Sequence, residues 1–278
     1  MFLCTYFNSN YADKGWACHK SLLDRDPNLS FFILCLDDKI YQTALKKEKV
    51  IAIKLSDIEK EFPELLKAKA DRTMVEYCFT LSPFLPMYIL NKYNYVDVLF
   101  YTDADIAFWG DPYEMVEVFG DKSLMVSDHG FEPPRAGVRF NVGILGYRND
   151  DNCKEFLNWW GERCLEWCKA TTLPNGMCGD QGYLNIIYDE PDKFKNTLIC
   201  PTPGINFAPW NIGKYKVTKN DNKILINGKW NLVCYHYHEF KLLNNGYYPT
   251  GWKHSESDRK IIYDPYYNLI MKVKNENK

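Results

Sequence analysis

The chain has 278 residues, 46 % of them hydrophobic and 25 % charged, with a formal net charge of −2. That length suits one large α/β domain or two small ones, and is enough to bury a sizeable core. The balanced charge argues against nucleic-acid binding, and no apolar stretch approaches the ~20 residues of a membrane span. The opening Met-Phe-Leu-Cys-Thr-Tyr has neither the basic flank nor the apolar core of a signal peptide. The ten cysteines contain no Cys-x-x-Cys pair, so free thiols in a cytoplasmic protein are expected.

Phe2 to Phe7 reads as a first strand, Asn8 to Gly15 as a polar loop, and Trp16 to Leu23 as a helix. Strand, loop and helix open a nucleotide-binding α/β unit. The loop has neither G-x-G-x-x-G nor a Walker A pattern, which argues against a dinucleotide cofactor or a P-loop. Phe31 to Leu36 and Val50 to Leu55 are the next strands. Ser56 and Glu59 have capping-box spacing. Thr73 to Leu81 has a helical period with Val75, Cys78 and Phe79 on one face, and Ser82-Pro83 predicts a break and restart.

The stretch Val96 to Pro112 organises the rest. An apolar run, Val98-Leu99-Phe100-Tyr101, reads as a buried strand that stops on Asp103-Ala104-Asp105. In extended chain the two acids point to one side. Two carboxylates beyond a strand end sit where open α/β sheets bind ligands, and a divalent cation with oxygen ligands offsets their repulsion.

Ser123 to Ser127 and Phe140 to Tyr147 are further strands. Glycines 143 and 146 in the second mark close approach by a ligand or another backbone. The loop His129 to Arg139 between them is expected to lie over the active face as a lid. Asp151 to Lys169 carries an apolar stripe of Cys153, Phe156, Leu157, Trp160, Cys164, Trp167 and Cys168, read as a core helix. Cys178 to Asn185 starts a helix with Asp180 near its head. Leu198 to Pro203 and Ile205 to Phe207 are short strand and loop. Asn227-Gly228 predicts a hairpin within Lys223 to Trp230. Leu232 to Tyr235 is a last strand, running into His236-Tyr237-His238, and a terminal helix starts at Asp264.

Four motifs together, Tyr101-Thr102-Asp103-Ala104-Asp105, Phe140-Asn141-Val142-Gly143, Gly179-Asp180-Gln181 and Cys234 to Lys241, resemble those of GT-A-fold glycosyltransferases. The likeness covers most of residues 1 to 241 and is nearest to family 8, glycogenin and the bacterial lipopolysaccharide galactosyltransferases. It implies an α/β fold with a mixed, Rossmann-like central sheet flanked by helices. The whole of residues 1–278 is expected to form a single domain, with 242–278 as a C-terminal extension. It also implies transfer of a sugar from a nucleotide-diphosphate donor, UDP-sugar first, to a glycan or lipid-linked acceptor, with retention.

By the same resemblance, Asp103 and Asp105 hold Mn2+ or Mg2+ against the diphosphate, and a histidine completes the set. The family pattern His-x-x-Gly-x-x-Lys-Pro-Trp, laid from His236, meets Glu239 where glycine belongs and lacks Lys-Pro-Trp. Strand parity puts His236 and His238 on one side, so either can ligate, with His236 favoured. Asn141, Asp180 and Gln181 match sugar-facing positions. Thr5, Tyr6 and Asn8 lie where the first strand meets the nucleotide, Arg72 and Glu76 are set to reach the base or phosphate, and Lys241 a phosphate. Two alternatives on related folds are a sugar-phosphate nucleotidylyltransferase and a non-catalytic carbohydrate-binding protein. Against the first, Phe7 to Lys20 holds a single glycine. The segment Tyr263 to Lys274 is either a docked helix or a peripheral contact with the inner face of a membrane.

Overall fold

The computed structural model describes residues 1–131, 135, 137–221 and 223–276. Eight strands come first: β1 (Phe2–Phe7), β2 (Phe31–Cys35), β3 (Val50–Lys54), β4 (Val98–Thr102), β5 (Ile106–Phe108), β6 (Leu124–Asp128), β7 (Phe140–Arg148) and β8 (Thr197–Ile199). Seven of them form one sheet in the order β3-β2-β1-β4-β7-β6-β8. The first four are parallel, and β7 runs antiparallel to both its neighbours. Chain order reverses between β1 and β4, and ligands bind at such a switch beyond the carboxyl ends of the strands.

Successive residues of a strand face opposite sides, and here both sides are covered. Cys4, Phe32, Leu34, Leu99, Tyr101 and Leu145 enter one core, which includes Trp160 of the helix Asp151–Glu166. Leu3, Phe31, Ile33, Phe100 and Ile144 enter the other, against Trp16 and Leu22 of the helix Ala12–Leu23. This explains why the strands read as unbroken apolar runs.

Six short strands follow, ahead of the C-terminal helix: β9 (Val217–Asn220), β10 (Lys223–Ile226), β11 (Trp230–Asn231), β12 (Cys234–His236), β13 (Lys241–Leu243) and β14 (Gly246–Tyr248). Strand β12 leaves the main sheet and pairs antiparallel with β5. A third core, rich in tyrosine, backs it. Tyr237 stacks on Tyr266 with ring centres 3.5 Å apart, Tyr235 and Tyr263 share a hydroxyl contact of 2.7 Å, and Trp109 donates to the Tyr237 hydroxyl at 2.8 Å. The terminal helix Asp264–Glu276 buries Tyr266, Ile270 and Val273, and Lys274 pairs with Asp13 at 3.1 Å. The segment after residue 241 thus braces the strand that carries His236.

Several local expectations change. The first helix begins at Ala12, because Asn8 caps a 3-10 turn, Ser9–Tyr11, that leads into it. Ser56 lies inside the helix Leu55–Glu61, whose N-cap position is Lys54, while Glu59 accepts from Tyr77 and Lys69. Val75 is 56 % exposed; Tyr77, Thr80 and Leu81 are the buried residues of its helix. The long helix ends at Glu166 because Trp167 turns to extended backbone, although Cys168 stays buried. After Asp180 the chain makes a 3-10 turn, Gln181–Asn185, before a short α-helix. The lid expected over His129 to Arg139 includes residues 132–134 and 136, which lie outside the described residues.

Candidate active site

Strand β4 delivers Asp103 to the carboxyl end of the sheet, where its N–H donates to Gly143 O of β7 at 2.9 Å. The two acids do not continue in extended form. Ile106 N–H donates to Asp103 O at 3.2 Å, closing a turn. Convergence of the carboxylates comes from this turn and from the pairing of β5 with β12. His236 lies opposite Ile106, and Tyr237 N–H donates to Asp105 O at 2.8 Å. His236 Nε2 then stands 3.1 Å from Asp105 Oδ1 and 3.6 Å from Asp103 Oδ2. One ligand atom from each of Asp103, Asp105 and His236 lies within 4.8 Å of the others.

The outer oxygens of the two carboxylates are taken. Tyr101 OH donates to Asp103 Oδ1 at 2.7 Å, and Lys14 Nζ lies 3.4 Å from Asp105 Oδ2. Two carboxylate oxygens and one imidazole nitrogen remain turned to a common point, a donor set that suits a divalent cation such as Mn2+ or Mg2+. Burial would lift the Asp105 carboxyl, but the His236 imidazole and Lys14 hold it well below the usual carboxylate range. Asp103 moves the other way: burial raises it, the Asp105 charge adds to the rise, and His236 offsets only part. Burial alone would lower His236, yet the two carboxylates leave its pKa raised.

His238 is exposed and outside this group, with its ring centre 5.9 Å from that of His236. Strand β12 ends at His236, so parity does not extend to position 238. Glu239 has a φ of 64°, the left-handed region that favours glycine. The residue standing where the pattern has glycine keeps the backbone shape that glycine would allow. Its carboxylate accepts from Gly251 N–H at 2.9 Å.

Asp180 is the second buried acid of this region. Ser82 Oγ donates to its Oδ2, Gln181 N–H donates to its Oδ1 at 2.9 Å, and Trp160 Nε1 donates to its carbonyl at 3.0 Å. Burial pushes its carboxyl up to about 7, the Ser82 hydroxyl opposes the shift, and the Asp103 charge adds to it. Gln181 is half-buried at the head of its turn. Tyr6 links the two acid centres, with its hydroxyl 3.2 Å from Ser82 Oγ and its ring centre 5.6 Å from that of Tyr101.

The remaining candidates fall in three places. Thr5 is fully buried in β1, and its hydroxyl has no partner among the described residues. Asn8 caps the turn beyond β1, and Asn141 lies buried in β7 with Gly143 N–H and Asn206 Nδ2 donating to its Oδ1. Arg72 and Glu76 form no ion pair with each other among the described residues. Arg72 donates to Thr80 and, at 2.7 Å, to Leu165 O near a helix end, while Glu76 closes a capping box with Thr73 and accepts from Ala170 N–H. Lys241 is exposed at the start of β13. Of the two glycines in β7, Gly143 faces Asn141, Asn206 and His236, whereas Gly146 makes room for the core side chains of Phe100 and Met125. Lys14, Ser82 and Asn206 carry no local sequence signal that separates them from ordinary surface, cap or turn residues.

No family model matches the chain. It is 31 % identical over 258 residues to the uncharacterized protein YfnD of Bacillus subtilis (strain 168), covering 88 % of this chain and 81 % of that one. It is 28 % identical over 280 residues to the uncharacterized protein YfnF of the same organism, covering 96 % and 90 %. Among solved structures, the galactosyltransferase LgtC, crystallised with donor and acceptor sugar analogs, superposes with a TM-score of 0.60 at 15 % identity, over 98 % of this chain and 96 % of that one. The chain therefore belongs to the family of YfnD, and its mixed sheet with an acidic turn at the switch point is built on the GT-A fold of glycosyltransferases.

Proposed function

We propose that the chain is a divalent-cation-dependent glycosyltransferase, moving a sugar from a nucleoside-diphosphate donor to a glycan or lipid-linked acceptor with retention at the anomeric carbon. UDP is the nucleotide to test first. One observation carries this reading: Asp103, Asp105 and His236 converge beyond the end of the central strand, beside the switch between β1 and β4. Asp103 Oδ2, Asp105 Oδ1 and His236 Nε2 are the atoms that would hold Mn2+ or Mg2+. A bound cation there supplies positive charge to the diphosphate leaving group.

Lys14 brings an ammonium to the same corner, next to Asp105. Tyr6 and Asn8, at the carboxyl end of β1, would meet the nucleotide there with buried Thr5 behind them, and Lys241 would meet its phosphates. A carboxyl such as Asp180, poised to be partly protonated near neutral pH, can donate a hydrogen bond to a sugar hydroxyl. In this reading Gln181 stands next to the anomeric carbon, Asn141 faces the sugar from β7, and Arg72 and Glu76 serve the scaffold at their helix ends. No helix among the described residues is long and apolar enough to cross a membrane.

A thermal-shift panel of nucleotide sugars, with and without Mn2+, tests the proposal. A donor present at a hundred times its Kd stabilises by about 2.7 kcal/mol, and this gain should require the cation. Slow Mn2+-dependent release of the nucleotide from the same donor should follow. If no nucleotide sugar shifts the melting point and none is hydrolysed, the transferase reading fails.

A further inference from the structure

Three polar side-chain atoms crowd one point above Gly143 in β7. A Cβ there would fall 2.5 Å from Asn141 Oδ1 and 2.6 Å from both Asn206 Oδ1 and His236 Nδ1. The last two atoms are buried and without a hydrogen-bond partner among the described residues. Each lies 2.6 Å from the same point, so they are no more than twice that distance apart. One is an amide oxygen, which accepts. The other is a ring nitrogen, which carries a proton whenever Nε2 offers its lone pair to a cation.

The Asn206 amide is oriented by its neighbours. Its Nδ2 donates to Asn141 Oδ1 at 2.8 Å, and Asn141 Nδ2 lies 3.3 Å from His129 Nε2. Asn206 Oδ1 is therefore the atom left for His236. The backbone is committed to this placement too. Asn206 has a φ of 62°, a conformation asparagine tolerates better than most residues, and Phe207 O accepts from His236 N–H at 2.7 Å. Two adjacent residues thus tie this loop to the histidine, one by backbone and one by side chain.

We infer that Asn206 is the positioning residue of His236. Its Oδ1 accepts the Nδ1 proton, directly or through one bridging water, and so keeps Nε2 turned to Asp103 and Asp105. The inference rests on the cation reading above, since it is a cation that needs the Nε2 lone pair. A ligand histidine is ordinarily held through its second nitrogen, and loss of that outer partner costs about 10–100-fold in metal affinity.

The test measures Mn2+ binding to the full chain by electron paramagnetic resonance. Asn206→Gly suits the left-handed backbone and removes only the amide. Its Kd for Mn2+ should rise about 10-fold or more, and Asn206→Asp, which keeps an acceptor oxygen, should recover most of the loss. A structural role alone would not move the second readout, the 15N–1H spectrum of labelled histidine in the Mg2+-loaded and ion-free protein. There the His236 Nδ1–H signal should be protected in the natural chain and in Asn206→Asp, and lost in Asn206→Gly. Equal Mn2+ affinity and an unchanged Nδ1–H signal in Asn206→Gly overturn the inference. Failure of the cation reading looks different: the natural chain itself then binds no Mn2+, while the ion-free spectrum still decides whether Asn206 holds the Nδ1 proton.

Discussion

Asp105 and Asp180 are both buried aspartates at one end of the same sheet, yet their carboxyls move in opposite directions. Asp105 faces an imidazole and an ammonium, so its charged form is favoured despite burial. Asp180 faces a hydroxyl and a backbone N–H, with the charge of Asp103 nearby, and burial wins. Surroundings rather than burial decide the charge of each acid: one carboxyl is held ionised, and the other is placed to keep a proton near neutral pH.

The largest effect expected on this contrast comes from Asp103→Asn, which removes one of the proposed cation ligands but keeps shape and the Tyr101 contact. Mn2+-dependent turnover of a donor sugar should vanish while the circular dichroism spectrum stays that of the parent. Full activity in excess Mn2+ would separate the acidic turn from the chemistry altogether.

Next come the histidines. His236→Ala should weaken Mn2+ binding by about 10-fold or more, whereas exposed His238→Ala should change it little; calorimetric titration ranks them, and the reverse order reassigns the ligand.

The smallest effect is on stability against pH. Asp180 has a folded pKa of about 7 against an ordinary 3.8. The folded state therefore binds more protons between those values, and the contribution is fully present below about 3.8 and lost as pH rises through about 7. His19 and His129, both lowered to about 4 by burial, act in the opposite sense over part of that range. The clean quantity is thus the difference between the natural chain and Asp180→Asn. Urea midpoints should fall for the natural chain relative to the variant between pH 5 and pH 8. Parallel curves would mean that Asp180 is ionised throughout, and the contrast with Asp105 would collapse.

Much of the main sheet was legible because its strands are covered on both faces. Phe31 to Leu36 and Phe140 to Tyr147 could hardly be anything else, and Asn227-Gly228 marked its hairpin with two positive φ values. Short elements were not legible: β9, β13 and β14 have three or four residues each and no apolar alternation to mark them. In the candidate site, Asp103, Asp105 and His236 stood out by residue type and motif. Lys14 and Asn206 did not, since what distinguishes them is a contact across the fold. Arg72 and Glu76 show the converse, with a plausible spacing whose hydrogen bonds go to helix ends.

The pairing of β12 with β5 has a temporal consequence. On the ribosome, the acidic turn emerges long before the histidine that completes it, and the seven strands of the main sheet have all left before position 236 appears. A half-made copy owns the two carboxylates but not the imidazole that converges on them. The cluster of two acids and a histidine is therefore assembled late in synthesis, by the same strand that the tyrosine-packed tail clamps down.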